Sequence, residues 1–242
     1  MEEKIILQRY IAQSDLCSRR QAEEMIRQGD VMINGKRAEL GIYAREGDEI
    51  KVRGKIIAKP ASHTYIMLNK PAGYTCSNRT FPGEKNIFSL VTHPGKLFSI
   101  GRLDKDSRGL ILITSDGELD NHLSHPRYRH EKVYEVAIGP MQPGEEINIS
   151  QSFKKGLDIG QEDGKVRAKE VQYLQNGRFI ITLTTGKKRQ IRRMFAILGK
   201  KVQDLKRVSF AGLQLGKLEE GKWRYLNEKE IHFLKERKMN QN

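Results

Sequence analysis

Apolar residues recur with two different periods along this chain, and the change of period divides it. Near the start the spacing is helical: Ile5, Ile6, Leu7, Tyr10 and Ile11 fit one helix face. Ser18-Arg19-Arg20-Gln21 has the form of a capping box, with Ser18 as N-cap and Gln21 reaching back. Ala22, Met25 and Ile26 form the apolar stripe behind it, and Gly29 stands where a helix end favours a left-handed residue. Val31–Ile33 reads as a short strand, Asn34-Gly35 as a two-residue hairpin turn, Gly47-Asp48 as another turn and Glu49–Arg53 as an alternating strand. Lys59-Pro60-Ala61-Ser62 has the composition of a linker. The pattern predicts one domain over residues 1–60, with two small helices and a few short strands, and a second over 61–242.

The second part is richer in strand-like runs, at 64–69, 97–103, 109–114, 131–138, 165–174, 178–185, 201–208 and 222–226. Helical spacing covers 117–124, 143–154, 188–198 and 227–236. In the third of these, Ile191, Met194, Phe195 and Leu198 share a face that ends at Gly199, and Asn227-x-x-Glu230 opens the last with a second capping-box pattern. Strands and helices do not alternate strictly. The expected fold class is therefore α+β, a mixed, mostly antiparallel sheet flanked by helices.

Charge changes this picture. The chain of 242 residues carries 44 Lys and Arg against 30 Asp and Glu, a net +14. Such an excess points to a polyanionic partner, because clustered cations gain affinity by displacing counterions from phosphates. The excess is uneven. Residues 1–60 hold twelve cations against ten anions, whereas residues 187–207 hold nine cations against the single Asp204. Within the first domain, Arg19, Arg20, Lys36 and Arg37 gather around the capped helix and the Asn-Gly turn, as a phosphate cradle or as a solvated face. No apolar stretch approaches the length of a membrane span, and the Met-Glu-Glu-Lys start lacks a signal-peptide pattern. Two cysteines, Cys17 and Cys76, with no C-x-x-C, suit a reducing compartment. The expectation is a cytoplasmic protein, monomeric by default, with no membrane partner.

Most chemical motifs are missing. There is no phosphate-binding glycine loop for nucleotide hydrolysis and no G-x-S-x-G nucleophile elbow. His122-x-x-His125 with His130 lacks the Cys or Glu partners of a zinc site, and a solvent-facing pair is the simpler reading. Cys17 precedes a helix start, where a thiol can be acidified, or is simply a small buried residue. What stands out is Arg102-Leu103-Asp104-Lys105-Asp106-Ser107-Arg108-Gly109 between two apolar runs. Asp104-x-Asp106 as a metal pair is disfavoured by the three cations crowding the turn. A turn would explain one Asp. An aimed carboxylate can also act as a nucleophile without metal or cofactor.

Four ordered segments then carry a resemblance. Gly101-Arg102-Leu103-Asp104-x-Asp106-Ser107-x-Gly109-Leu110 resembles the G-R-L-D signature of pseudouridine synthases. Asn69-Lys70-Pro71-x-Gly73, Lys132-Val133-Tyr134 and Arg189-Gln190-Ile191-Arg192-Arg193-Met194 resemble its other motifs. Residues 1–60 resemble the S4 RNA-binding domain through Cys17-Ser18-Arg19-Arg20-x-Ala22 and Asn34-Gly35-Lys36, and the combination is that of the RsuA-type ribosomal RNA branch. The resemblance implies a cofactor-free isomerisation of uridine to pseudouridine in ribosomal RNA. Asp104 would be the nucleophile, Tyr134 would stack on the uracil and assist proton removal, and Arg192 would pair with the catalytic carboxylate. Arg102 would fill the gap left by the extruded uridine, and Arg189 and Arg193 would join the S4 cations as RNA contacts. Lys188 departs from the polar residue often found there. Details of the S4 segment incline the reading to 23S rRNA. A 16S rRNA substrate, a ribosome-assembly factor with vestigial catalysis, and a metal-dependent transferase using Asp104 and Asp106 are the alternatives.

Overall fold

The computed structural model describes residues 4–14, 16–58, 62–79, 82–93, 95–160 and 162–239. The chain forms two compact units. The first runs to His63, and the second begins at Thr64 except for two short stretches, 94–96 and 115–117, that group with the first. Three of the four linker residues named above lie outside the described residues.

In the first unit, β1 (Ile5–Ile6) leads into α1 (Leu7–Gln13), followed by α2 (Arg19–Gln28), β2 (Val31–Ile33), β3 (Lys36–Arg37), β4 (Tyr43–Ala44), β5 (Ile50–Val52) and β6 (Lys55–Ile56). The helix expected from Ile5 thus begins two residues later. Ile6 is extended (φ −58°, ψ 133°), and the two isoleucines pair antiparallel with Tyr43 and Ala44. The capping box of α2 is complete: Gln21 N donates to Ser18 Oγ at 3.3 Å and Ser18 N to Gln21 Oε1 at 2.9 Å. Gly29 ends the helix at φ +83°. Asn34 and Gly35, both at positive φ, turn the β2–β3 hairpin, which sits in a four-stranded sheet ordered β3-β2-β5-β6. Leu7, Ile11, Ala22, Ile26, Val31 and Ile50 meet in its core.

The second unit is built on one mixed sheet. Its elements are β7 (Tyr65–Lys70), β8 (Tyr74–Thr75), β9 (Lys85–Asn86), β10 (Phe98–Ile100), β11 (Arg108–Thr114), α3 (Gly117–Ser124), β12 (Lys132–Ile138), α4 (Glu145–Lys155), β13 (Leu157–Asp158), β14 (Lys165–Val166), β15 (Glu170–Gln175), β16 (Arg178–Leu183), α5 (Gln190–Ile197), β17 (Val202–Phe210), β18 (Leu213–Gln214), β19 (Trp223–Tyr225) and α6 (Glu228–Met239). The main path is β15-β16-β12-β17-β11-β7-β19, with β10 on β11 and β18 on β17. Within this sheet only β11 and β17 run parallel, so the fold is α+β as expected. Central strands are covered on both faces, which is why β7 and β11 read as unbroken apolar runs. Ile66, Leu68, Ile111 and Ile113 face a core closed by Phe153 of α4 and Phe195 of α5, whereas Met67, Leu110 and Leu112 face one closed by Leu119 of α3 and Leu234 of α6. The Asn227–Glu230 box is formed, with Glu230 N donating to Asn227 Oδ1 at 2.9 Å.

Two strands differ from expectation. The run 97–103 is strand only over Phe98–Ile100, because Gly101 turns the chain at φ +66°. The run 165–174 breaks into β14 and β15, which pair with different strands.

Candidate active site

The sheet opens beside the Arg102–Ser107 turn, and that opening is the site. Strand β11 pairs with β17 at only two positions, Arg108 with Lys206 and Gly109 with Arg207. Beyond them β17 continues against β12 and β18, while β10 adds to β11 at Leu112–Thr114. The side chain of Arg207 bridges the start of the split, its Nε donating to the Leu110 carbonyl at 2.7 Å. A bulge between Val133 and Tyr134 sets Tyr134 directly opposite Arg207 on the neighbouring strand. The resulting cleft, about 790 Å³, is lined by Asp104, Tyr134, Arg207 and Phe210 among others.

The turn that carries Asp104 is tied down on every side except at Asp104 itself. Ser107 N donates to Asp104 O at 3.1 Å, closing the turn. Lys70, fully buried at the end of β7, donates its ammonium to the carbonyls of Ser107 (2.6 Å), Pro71 (3.0 Å) and Lys105 (3.3 Å). Gly73 N reaches Lys105 O at 2.7 Å, and Cys76 Sγ exchanges contacts with the Leu103 carbonyl (3.4 Å) and amide (3.5 Å). From α5, Arg192 donates to the Asp106 carbonyl at 3.1 Å and Ser107 Oγ at 3.4 Å. Arg189, at the N-cap of α5, makes a bidentate pair with Asp106 at 3.0 Å on both arms. Partial burial acts to raise the Asp106 carboxyl, but the Arg189 hydrogen bonds and the charges of Arg192 and Arg189 outweigh it and hold it below the usual carboxylate range.

Asp104 is different. Among the described residues no hydrogen bond or ion pair engages its carboxylate, and it is the sole carboxylate lining the cleft, against eight Lys and Arg side chains. Its charge is felt by Lys70 and Arg189. Tyr134 is nearly buried (9% exposed), belonging to the core beside Val136 and also lining the cleft. The arrangement offers an unshielded carboxylate, an aromatic surface and a cationic wall. That suits attack on a group inside a polyanion.

Comparison with known proteins agrees. A family model for RNA pseudouridylate synthase matches residues 64–197, and one for the S4 domain matches residues 7–50. The chain belongs to the RNA pseudouridylate synthase family. It is 36% identical over 235 residues to the dual-specificity RNA pseudouridine synthase RluF of Escherichia coli (strain K12), covering 95% of this chain and 78% of that one. It is 34% identical over 237 residues to the ribosomal large subunit pseudouridine synthase B of Bacillus subtilis (strain 168), covering 95% of this chain and 95% of that one. A solved pseudouridylate synthase structure superposes with a TM-score of 0.68 at 33% identity, covering 95% of this chain and 99% of the other.

Within this pseudouridine synthase, several residues singled out in the sequence sit where expected and several do not. Asp104, Tyr134, Arg102 and Arg189 all line the cleft. Arg192 does not pair with Asp104; its Nε lies 3.4 Å from Asp106, because the first turn of α5 meets the chain two residues further on. Arg193 is no free RNA contact. It is held by Asp163 (2.6 Å) and by the carbonyls of Ile159 and Gly160. Arg108 turns away to Asp204 (2.6 Å) and Glu220 (3.2 Å), and Lys105 pairs with Glu84 at 3.1 Å.

In the S4 unit, Arg37 lies over Gly29 and donates to the Arg27 carbonyl at 3.4 Å, at the C-terminal end of α2. Arg19 and Arg20 stand at the other end, about 15 Å along a ten-residue helix, so these cations do not form one cradle with Lys36 and Arg37. His122 is buried against Tyr128, with ring centroids 4.2 Å apart, and is not solvent-facing. Burial pushes the Cys17 thiol up, outweighing a nearby lysine, so it is a core residue and not an acidified one. Among the described residues, no group of three His, Cys, Asp or Glu is placed to hold a metal ion. No helix there is long and apolar enough to cross a membrane.

Sequence reasoning missed the supports of the turn, Lys70 and Cys76, whose signal was only their membership of the Asn69-Lys70-Pro71 and following segment. It also missed the pairing of Lys132 and Arg207. Burial first, and the Arg207 charge second, push the Lys132 ammonium down to about 8 from 10.5. A lysine with a lowered folded value opposes folding while charged, and the cost is relieved as pH rises from the folded to the unfolded value. Wild type is therefore expected to gain stability relative to Lys132→Met between pH 8 and about pH 10, in urea unfolding at stepped pH. Parallel pH curves for the two proteins would remove Lys132 as the titrating group.

Proposed function

We propose that this enzyme isomerises a uridine of 23S ribosomal RNA, using Asp104 as nucleophile. The observation that carries the proposal is the isolation of Asp104: one unpartnered carboxylate, on a turn fixed by its neighbours, in a cleft walled by cations and Tyr134. The reaction breaks the C1′–N1 bond, turns the base and joins C1′ to C5. The C5 proton is lost and N1 gains one, so the product is an isomer and nothing enters from outside. A base inside a duplex cannot be reached, so the nucleotide must leave its stack, at a cost offset by phosphate contacts and stacking in the pocket.

In this reading Asp104 attacks the target nucleoside. Its carboxylate needs no reorganisation, because the hydrogen bonds of the turn are already made to the backbone around it. Tyr134 stacks on the uracil and helps draw off the C5 proton. Arg192 and Arg189 are positioning residues that act through Asp106 and Ser107. Arg102, exposed at the cleft edge, occupies the place of the extruded nucleotide. The S4 unit, residues 1–60, docks on structured RNA, with Arg19, Arg20 and Lys36 exposed for that purpose. The enzyme works as a monomer in the cytoplasm, on ribosomal RNA that is free or in an assembling subunit.

The test is tritium release from ribosomal RNA labelled at uridine C5. The expected result is release from 23S and not from 16S rRNA, undiminished by chelator wherever the RNA stays folded. Release from 16S alone would overturn the large-subunit assignment, and binding without release from either would favour an assembly factor.

A further inference from the structure

The floor of the cleft holds two cations that the steps at Asp104 do not use. Arg207 is 2% exposed, and its guanidinium carbon lies 4.9 Å from the centre of the Phe210 ring. Its Nε is satisfied by the Leu110 carbonyl, but Nη2 is buried in the cleft wall with no hydrogen-bond partner. Lys132, on the adjoining strand, shares the same ring with its ammonium 5.8 Å from the centroid, and donates to the His130 carbonyl at 3.0 Å. Neither cation has an ion-pair partner among the described residues. Five cations of the 187–207 segment, by contrast, are each paired with an Asp or Glu: Lys187, Arg189, Arg192, Arg193 and Lys200.

A buried guanidinium with an orphaned donor, beside a partly buried ammonium, is costly in the free protein. Burial first, and the neighbouring Arg207 charge second, lower the Lys132 ammonium. With Lys132 charged, an anion entering the cleft relieves the arrangement. The exposed cations at the rim can follow any stretch of backbone, but these two lie inside, where only a nucleotide drawn out of its stack would bring a phosphate.

We propose that Arg207 Nη2 and Lys132 Nζ form a phosphate subsite that receives the phosphodiester attached to the extruded uridine. This rests on the reading of the cleft as the uridine site. A phosphodiester is charged before any chemistry occurs and presents two oxygens to two donors, whereas the departing uracil is an anion only in passing. Phe210 supplies a ring face that holds both heads at the floor. The subsite thereby selects the flipped-out state: the contact exists only when the backbone has followed the base inward.

The experiment titrates uridine 5′-monophosphate and uridine into the full-length protein at low salt, followed by NMR. Wild type is expected to bind the monophosphate at least about tenfold more tightly than the nucleoside, the scale of one charge-assisted contact. Arg207→Gln and Lys132→Gln should each bring the ratio toward one, and Arg207→Lys should keep part of it. Lys201→Gln, an equal loss of charge outside the cleft, should leave the ratio intact. Because Arg207 also supports the Leu110 carbonyl, Lys132→Gln carries the test if Arg207→Gln fails to fold. An unchanged ratio in Lys132→Gln, or equal weakening of both ligands, would overturn the subsite. Tritium release by wild type separates the two levels: release with an unchanged ratio removes the subsite alone, and a lost ratio without release keeps the anion site and removes the isomerase reading.

Discussion

Asp104→Asn is expected to abolish tritium release from C5-labelled ribosomal RNA while leaving the protein folded and RNA binding intact. The loss should be three orders of magnitude or more, roughly the scale of removing a covalent nucleophile. The fold should not notice, because no hydrogen bond or ion pair among the described residues depends on the Asp104 carboxylate; the turn is held through its backbone by Lys70, Gly73, Cys76 and Arg192. Stability should therefore stay within about 0.5 kcal/mol of wild type, as for other partly exposed substitutions without partners. RNA affinity should hold or rise slightly, since the change removes the only negative charge lining a cationic cleft. Equal release by wild type and Asp104→Asn would mean that Asp104 is not the nucleophile. A large loss of stability would mean that it is part of the turn and not its payload.

Gly109→Ala should have the largest structural effect of any single methyl addition described for this chain. Gly109 sits at φ +105° where β11 and β17 make their short parallel contact. A Cβ there would fall on the carbonyl oxygen of Arg207, with Arg207 N at 2.6 Å and its carbonyl carbon at 2.9 Å. These are backbone atoms and cannot swing aside. Backbone strain and overpacking together put the cost at about 3–5 kcal/mol, a large fraction of typical domain stability. The melting temperature of the second unit should fall by about 10 °C or more. Gly199→Ala is the control: φ is also positive (+70°), yet nothing lies within 4 Å, so only the backbone term of about 1 kcal/mol is expected. Similar losses for both would show that strain alone, and not the close approach, explains the glycine at 109. Activity of Gly109→Ala should fall further than stability, because the displaced end of β11 follows the Asp104 turn directly and presses on Arg207.

The charge count along the sequence was a good guide to the partner class and a poor guide to individual contacts. Nine cations in residues 187–207 suggested a continuous RNA-facing surface, yet five of them are held by Asp106, Glu145 and Asp163. Those acids lie 24 to 86 positions away in sequence, so no local window could have counted them. The same reason explains the misassignment of Arg192. Sequence places it on the right helix and one side of the right cleft, but whether its guanidinium meets Asp104 or Asp106 depends on how that helix approaches a turn from another part of the chain.

What the sequence by itself determined is whatever depends on neighbours within a few positions. The Ser18–Gln21 and Asn227–Glu230 boxes, the Asn34-Gly35 turn, the apolar runs of β7 and β11 and the position of Asp104 between two apolar runs were all readable, because capping, turn conformation and burial period are local properties. The motif order carried the family as well. Only the tertiary structure decided what these pieces do together. It split the sheet between β11 and β17, bulged β12 so that Tyr134 faces Arg207, buried Lys70 under the turn, and left Lys132 and Arg207 side by side without an anion. Each of those outcomes is a contact between residues far apart in sequence, settled by sheet register and packing.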